Sequence, residues 1–275
     1  MITKRSVLIG FGSTLPFVAL AGQVYPPDVD AIKKRGKLIV AMTSFDNLPF
    51  YGNIPTNSTN LTGVGPNIAR SLGKMLEVPV EFRRDAKTFS DVVDQVRDDR
   101  ADIAISKLSI TGPRSNVVRF TTPYAKLKQA LLVNRVWLAS KSSGGKEISE
   151  IIKNFDGTLA FIEGSSYDTF ARLNFPKATY VPEKNWANIV NGVVSGKYSA
   201  GFRDDLEVKK IAFERPEASL TTKAVIISDS SDYIAACVGW KSTHLLSIAD
   251  MVVSNTRSDV SVNKLISMYR SMSGI

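Results

Sequence analysis

The sequence predicts an α/β protein with an open, helix-covered sheet and room for two separate cores, and three observations lead there. At 275 residues, 44% hydrophobic and 22% charged, the chain is long enough for two separate cores and has an ordinary globular composition. Across 147–202 helix-like and strand-like stretches alternate: helix 147–155, strand 158–162, helix 167–174, strand 178–181, helix 186–195 and strand 198–202. That rhythm implies a parallel sheet covered by helices on both faces. The apolar run Ile103 to Ile105 reads as a buried strand, and it spills into hydroxyls at Ser106, Ser109 and Thr111, so the chain leaves the sheet into a polar site.

The remaining elements follow in order. Residues 1–21 open with Lys4-Arg5, continue as apolar and small residues, and finish Ala19-Leu20-Ala21, an A-x-A cleavage pattern, so they are expected to be an export signal outside the fold. The competing reading, a membrane anchor, is weakened by Gly10, Gly12 and Pro16, which leave the stretch short of the ~20 apolar residues a span requires. A helix at 29–35 and a strand at 37–43 come next, and the strand ends in the loop 44–51. Ligands in open α/β sheets bind beyond the carboxyl ends of strands, which makes this loop a candidate ligand edge. A turn-rich stretch at 52–62 leads to a helix with Ile68, Ala69, Leu72, Met75 and Leu76 on one face, a strand at 78–82 and a helix at 90–98. Beyond Tyr124 the pattern gives a strand at 130–133 and a polar loop at 140–145; past the alternating region it gives strands at 224–227 and 233–238 and helices at 242–255 and 259–272.

Three local features point to a small charged ligand. Gly112-Pro113 opens a short helix whose first turn holds Arg114. Cations are unfavourable at the positive end of a helix, so an arginine beside free amides and hydroxyls implies an anion there, a carboxylate being the economical one; a solvated arginine on a surface turn is the alternative. Gly164-Ser165-Ser166, at a strand-to-helix turn, is another anion-friendly nest. Asp204-Asp205 ends the strand at 198–202, either as a solvated helix start capped by Asp204 or as part of a site.

Other chemistries find little support. One histidine, His244, and one cysteine, Cys237, provide no spaced metal-ligand set, no internal disulfide and no Ser-His-Asp machinery. Gly63-Val64-Gly65-Pro66 is half a dinucleotide fingerprint without its third glycine or a preceding strand, so no cofactor is expected. The net charge of +9 comes from scattered basic residues rather than a stripe, which argues against nucleic acid.

Ser109-Ile-Thr-x-x-Arg114, a hydrophobic gap, then Phe120-Thr-x-Pro-Tyr124 resembles the signature of the family 3 extracellular solute-binding proteins, the amino-acid receptors of ABC importers. The resemblance extends from Leu38 to about Met272. It implies the two-lobe periplasmic binding protein (Venus-flytrap) fold, α/β, two open sheets joined by two hinge crossings, with 22–126 and 228–275 in lobe 1 and 127–227 in lobe 2. It further implies that Arg114 holds the ligand's α-carboxylate, with the Gly164-Ser165-Ser166 turn closing over it, that Ser109 also contacts the ligand, that Asp204 takes the α-ammonium, and that Pro123-Tyr124 leads into the hinge. Phe89 matches a family pocket position, and Asn47 stands where relatives often carry an aromatic ring, a role Phe45 is placed to fill.

Lys107 departs from the family, which keeps a small residue there. Its ammonium is expected either to stay in water or to reach over the cleft mouth toward the ligand's side chain, repelling basic amino acids and favouring polar or acidic ones. The expected function is periplasmic capture of an amino acid by a monomer, without catalysis, and its delivery to an ABC permease in the inner membrane. The alternative is an exported dehydratase-like enzyme on the same fold, acting on a prephenate-like acid.

Overall fold

The structure is a computed structural model that describes residues 24–55, 59–142, 144–256 and 260–275, so the expected export segment lies outside the described residues. In chain order the elements are α1 (Pro27–Arg35), β1 (Leu38–Thr43), β2 (Gly52–Asn53), β3 (Leu61–Thr62), α2 (Val64–Met75), β4 (Val80–Ala86), α3 (Phe89–Arg97), β5 (Ile103–Ser109), α4 (Gly112–Ser115), β6 (Val118–Phe120) and β7 (Ala125–Leu127). They continue as β8 (Gln129–Asn134), α5 (Arg135–Lys141), α6 (Ile148–Lys153), β9 (Thr158–Ile162), α7 (Ser166–Asn174), β10 (Thr179–Glu183), α8 (Trp186–Val194), β11 (Ala200–Asp204), α9 (Asp205–Glu214), a 3-10 turn (Pro216–Leu220), β12 (Thr222–Ile226), β13 (Asp232–Gly239), α10 (Thr243–Thr256) and α11 (Val262–Ser273).

Every residue of β1 is buried, and its side chains alternate between two cores: Leu38, Val40 and Met42 face one, Ile39 and Ala41 the other. That is the period-2 geometry of a strand covered on both faces. The same division recurs in the other half of the chain, where Leu159 and Phe161 of β9 join one core and Ala160 and Ile162 another. The strands form two large sheets, ordered β4-β1-β5-β13-β6, with β7 also paired to β13, and β10-β9-β11-β8-β12.

Neither sheet is wholly parallel as the alternation alone implied. β1 runs parallel to β4 and β5, and β9 to β10 and β11, but β13 and β8 run antiparallel to their neighbours. These are the strands that follow the two crossings between sheets, at Lys128 and across 227–231. Numbered within its own sheet, each order reads 2-1-3-n-4, where n is the strand received from the crossing. The two halves thus share one plan although the sequence shows no repeat.

One helix, α5, escaped the sequence reading, and another, α9, stood there only as one of two alternatives. α5 follows Asn134, whose side chain accepts from the Trp137 amide and caps it, so the expected polar loop begins only after Lys141. α9 follows Asp204, whose carboxylate accepts from the Glu207 amide. The strand expected at 103–105 continues to Ser109, so the hydroxyls at Ser106 and Ser109 belong to the sheet rather than to a loop beyond it.

Candidate functional site

The C-terminal ends of β1, β5, β9 and β11 meet between the two sheets, where an open α/β architecture places its ligands. An inner cavity with about 20 Å³ of free space is bounded from the first sheet by Phe89, Lys107, Ser109, Arg114, Asp232 and Ile234, and from the second by Ser165, Ser166, Tyr167, Arg203 and Asp204. An outer cavity of about 270 Å³ shares Arg203 with it and is walled by Phe45, Asn47, Trp186 and Glu207, among others. A larger cavity, about 660 Å³, lies away from this region, against α6, the end of α7 and the second crossing, and holds none of the expected site residues.

Most expected residues therefore converge on the cleft, in two groups. Phe89, Lys107, Ser109, Arg114, Ser165, Ser166 and Asp204 line the inner cavity; Phe45 and Asn47 line the outer one. Phe45 meets Phe89 edge-on at 5.6 Å between centroids, so an aromatic pair stands at the junction. Gly164 lines neither cavity; its carbonyl accepts from Ser90 Oγ at 3.1 Å, a contact between the sheets. Tyr124 lies below the site rather than in it, its hydroxyl accepting from the Lys107 amide at 3.2 Å.

Ser109 Oγ and Ser166 Oγ, 2.8 Å apart, join the two halves across the inner cavity. Ser165 caps α7, its hydroxyl accepting from the Tyr167 amide, which leaves the following turn open to the cavity. Arg114, in the single turn of α4, donates through one guanidinium nitrogen to the Ser109 carbonyl at 3.1 Å. Among the described residues it has no carboxylate partner within ion-pair distance. Burial lowers its pKa from the ordinary value, opposed by Asp232 nearby, yet an arginine stays charged.

Lys107 does neither of the things expected of it. Its φ of +51° falls at an irregularity in the pairing of β5 with β13, where the register shifts between Ala235 and Cys237. A bulge re-aims the side chain it carries, and here the lysine is sent across the cleft. Its Nζ lies 2.9 Å from both Asp204 Oδ2 and Glu207 Oε1 and sits over the Phe50 ring at 5.1 Å. Only 6% of the residue is exposed. Burial alone would lower its pKa, but Asp204 and Glu207 together outweigh that and hold it above the ordinary value. Glu207 pairs also with Lys210 at 3.0 Å, and Asp204 with Arg203 at 3.6 Å. Burial would raise the Glu207 pKa, but Lys107 and Lys210 hold it well below the usual carboxylate range. The ammonium is consumed within the chain, so the selectivity argument built on a free Lys107 charge loses its basis.

Asp232 lines the inner cavity and was missed by sequence reasoning, as were Tyr167 and, in the outer cavity, Trp186. Asp232 is the first residue of β13 and 1% exposed; Oδ2 accepts from Tyr167 Oη at 2.9 Å, and Oδ1 has no hydrogen-bond partner among the described residues. Burial pushes its pKa up to about 6, helped by Asp204 and opposed by Ser109, Tyr167 and Lys107. Local sequence held no signal for it, the second acid of a Ser-Asp-Ser-Ser-Asp stretch that reads as a polar turn.

This arrangement can be compared with known proteins. The model of the bacterial extracellular solute-binding proteins, family 3, matches residues 39–270. The chain belongs to that family. Among curated relatives, this solute-binding protein is 27% identical over 195 residues to a cyclohexadienyl dehydratase of Pseudomonas aeruginosa, covering 69% of this chain and 67% of the relative. Among solved structures, a Streptococcus pneumoniae amino acid ABC transporter substrate-binding protein bound to L-arginine matches with TM-score 0.71 and 24% identity, covering 89% of this chain and 98% of the other. An ancestral amino acid-binding protein described as a precursor of cyclohexadienyl dehydratase gives TM-score 0.66 and 24% identity over 88% and 98%. At these identities the structures establish the two-lobe periplasmic binding fold.

Proposed function

We propose that the protein captures an amino acid between its two lobes in the periplasm, as a monomer, and delivers it to an ABC permease in the inner membrane. The observation that supports this most directly is Arg114, a guanidinium without a carboxylate partner among the described residues, in a cavity whose opposite wall is the Ser165-Ser166 turn of the other lobe. A carboxylate there gains charge-assisted bonds from one lobe and helix-start amides from the other, and so favours the closed state through contacts with both. The capture reading also agrees with the family and with the arginine-bound neighbour. Export by the segment 1–21 supplies the compartment in this reading.

Thermal unfolding across the twenty amino acids tests it, since a solute at 1,000 times its dissociation constant adds about 4 kcal/mol of stability. In the Arg114→Ala variant that shift should disappear while the unliganded melting temperature stays near wild type, because removing one member of a buried charge pair costs on the order of 2 to 5 kcal/mol of binding. Binding within threefold of wild type would remove the carboxylate role.

A second reading, dehydration of a prephenate-like acid, is favoured by Asp232, a buried carboxyl with pKa about 6 in the same cavity, which is suited to carry a proton near neutrality. The dehydratase relative agrees with it. Turnover of prephenate by the purified protein, lost in Asp232→Asn, would move the assignment from binding to catalysis.

A further inference from the structure

The five charged side chains that line the inner cavity do not stand alike. Three satisfy one another: Lys107 and Arg203 both pair with Asp204, at 2.9 and 3.6 Å. Two do not, and they are opposite in sign. Arg114 donates only to a backbone carbonyl, and Asp232 receives one tyrosine hydroxyl while its second oxygen is unpartnered among the described residues. A buried carboxylate without a cation is costly, and one that lines a cavity beside an equally unpaired guanidinium is a place for a ligand that brings both missing charges.

We propose that Asp232, not Asp204, receives the α-ammonium of the solute, so that Arg114 and Asp232 form the dipolar clamp while Asp204 is held by Lys107. The proposal rests on the amino-acid reading above and names the residue through which that reading would work. Asp204 is ill placed for the role on three counts. Lys107 already sits 2.9 Å from its Oδ2, its Oδ1 accepts the Glu207 amide as the cap of α9, and Arg203 approaches the same Oδ2. An incoming ammonium would have to displace a lysine that Glu207 also holds at 2.9 Å. Asp232 asks for no lysine to be displaced, because its Oδ1 has no hydrogen-bond partner among the described residues and the residue lines the cavity. The groups facing it are Tyr167 of α7, Ser109 and Lys107 of β5, Asp204 of β11 and Arg114 of α4, so the solute meets donors and acceptors from both lobes.

Calorimetric titration provides the test, with the tightest-binding amino acid from the panel, its deaminated carboxylic acid and its 2-hydroxy acid as probes against wild type, Asp232→Asn and Asp204→Asn. Asp232→Asn should weaken the amino acid by roughly ten- to a hundredfold while leaving the deaminated acid within threefold; Asp204→Asn should change the two probes by the same factor. A second measurement does not depend on a variant. An ammonium beside Asp232 favours its ionised form, so at pH 6 the wild-type protein should release on the order of half a proton per amino acid bound, read from the buffer dependence of the binding heat, and none with the deaminated acid. Discrimination between the probes that vanishes in Asp204→Asn and persists in Asp232→Asn would overturn the assignment. Absence of proton release with the amino acid would do the same. Tight binding of amine-free acids alone would overturn it too, yet keep carboxylate capture; no binding by any probe would overturn both together.

Discussion

At the scale of single residues, the unusual group is a carboxyl that folding makes harder to ionise. Asp232 has a pKa near 3.9 in an unfolded chain and about 6 in the folded one, so between those values the folded state holds more protons. Stability contributed by this group is therefore present below pH 4 and lost as pH rises through 6. The rise corresponds to a cost of about 3 kcal/mol at pH 7. Asp232→Asn removes the charge and keeps the shape, so the solute-free variant should be more stable than wild type at pH 7.5 and close to it at pH 4. Urea unfolding at the two values checks this; a variant less stable at pH 7.5 would show that the carboxylate is already satisfied in the empty protein. Residues of this kind are hard to read from sequence. Ser109, Arg114 and the Gly164-Ser165-Ser166 turn stand in compact motifs whose local chemistry announces an anion. Lys107 meets Glu207 a hundred positions away, and Asp232 acquires its character only from burial and from Tyr167, 65 positions away.

At the scale of elements, Asp204 has two duties that can be separated. Its Oδ1 caps α9 and its Oδ2 holds Lys107. Asparagine preserves the cap and loses the charge; alanine loses both. The difference in stability between Asp204→Asn and Asp204→Ala should therefore be about 1 kcal/mol, the usual worth of such a cap, and guanidinium unfolding of the pair measures it. Equal stabilities would mean that the cap contributes nothing here. α9 also shows what sequence leaves out. A helix start capped by Asp204 was one reading there, but taken as solvated, whereas Glu207 and Lys210 are buried, because each finds an opposite charge in the cleft. The strands β1, β9 and β11 were legible from apolar runs, whereas the antiparallel strands β8 and β13 look no different from their parallel neighbours. Direction depends on the crossings, and a crossing leaves no local periodicity.

At the scale of the molecule, the cluster around Lys107 joins the lobes directly. The lysine comes from β5 of the first sheet and its two acids from β11 and α9, which follow the second. Lys210 donates to the Leu48 carbonyl at 3.2 Å, and Tyr269 of α11 to Glu214 of α9 at 2.5 Å, on the same side. These bonds favour closure before any solute arrives. A ligand then has less left to shift, since it moves the equilibrium only by its own differential affinity for the closed state. Lys107→Met leaves two buried acids without their shared cation, a change worth about 3 to 5 kcal/mol, which opening the cleft to water would relieve. The solute-free variant should show a larger radius of gyration than solute-free wild type by small-angle scattering. Identical profiles would mean that other contacts set the resting state. Nothing in the sequence hinted at this resting bias, although length left room for two cores and the family resemblance implied the two-lobe plan.

Trp186 gives that equilibrium a voice. Of the chain's three tryptophans, Trp137 is packed at 4.6 Å against Phe155 inside the second lobe and Trp240 is 59% exposed on the first. Trp186 alone lines the cleft, with its indole N–H buried and without a partner among the described residues and the Arg203 guanidinium 5.9 Å from its ring. Indole emission responds to water and to nearby charge, so opening the lobes or seating a solute alters one chromophore against two steady ones. The protein carries its own unlabelled optical gauge of occupancy, and Trp186→Phe is the substitution that would silence it.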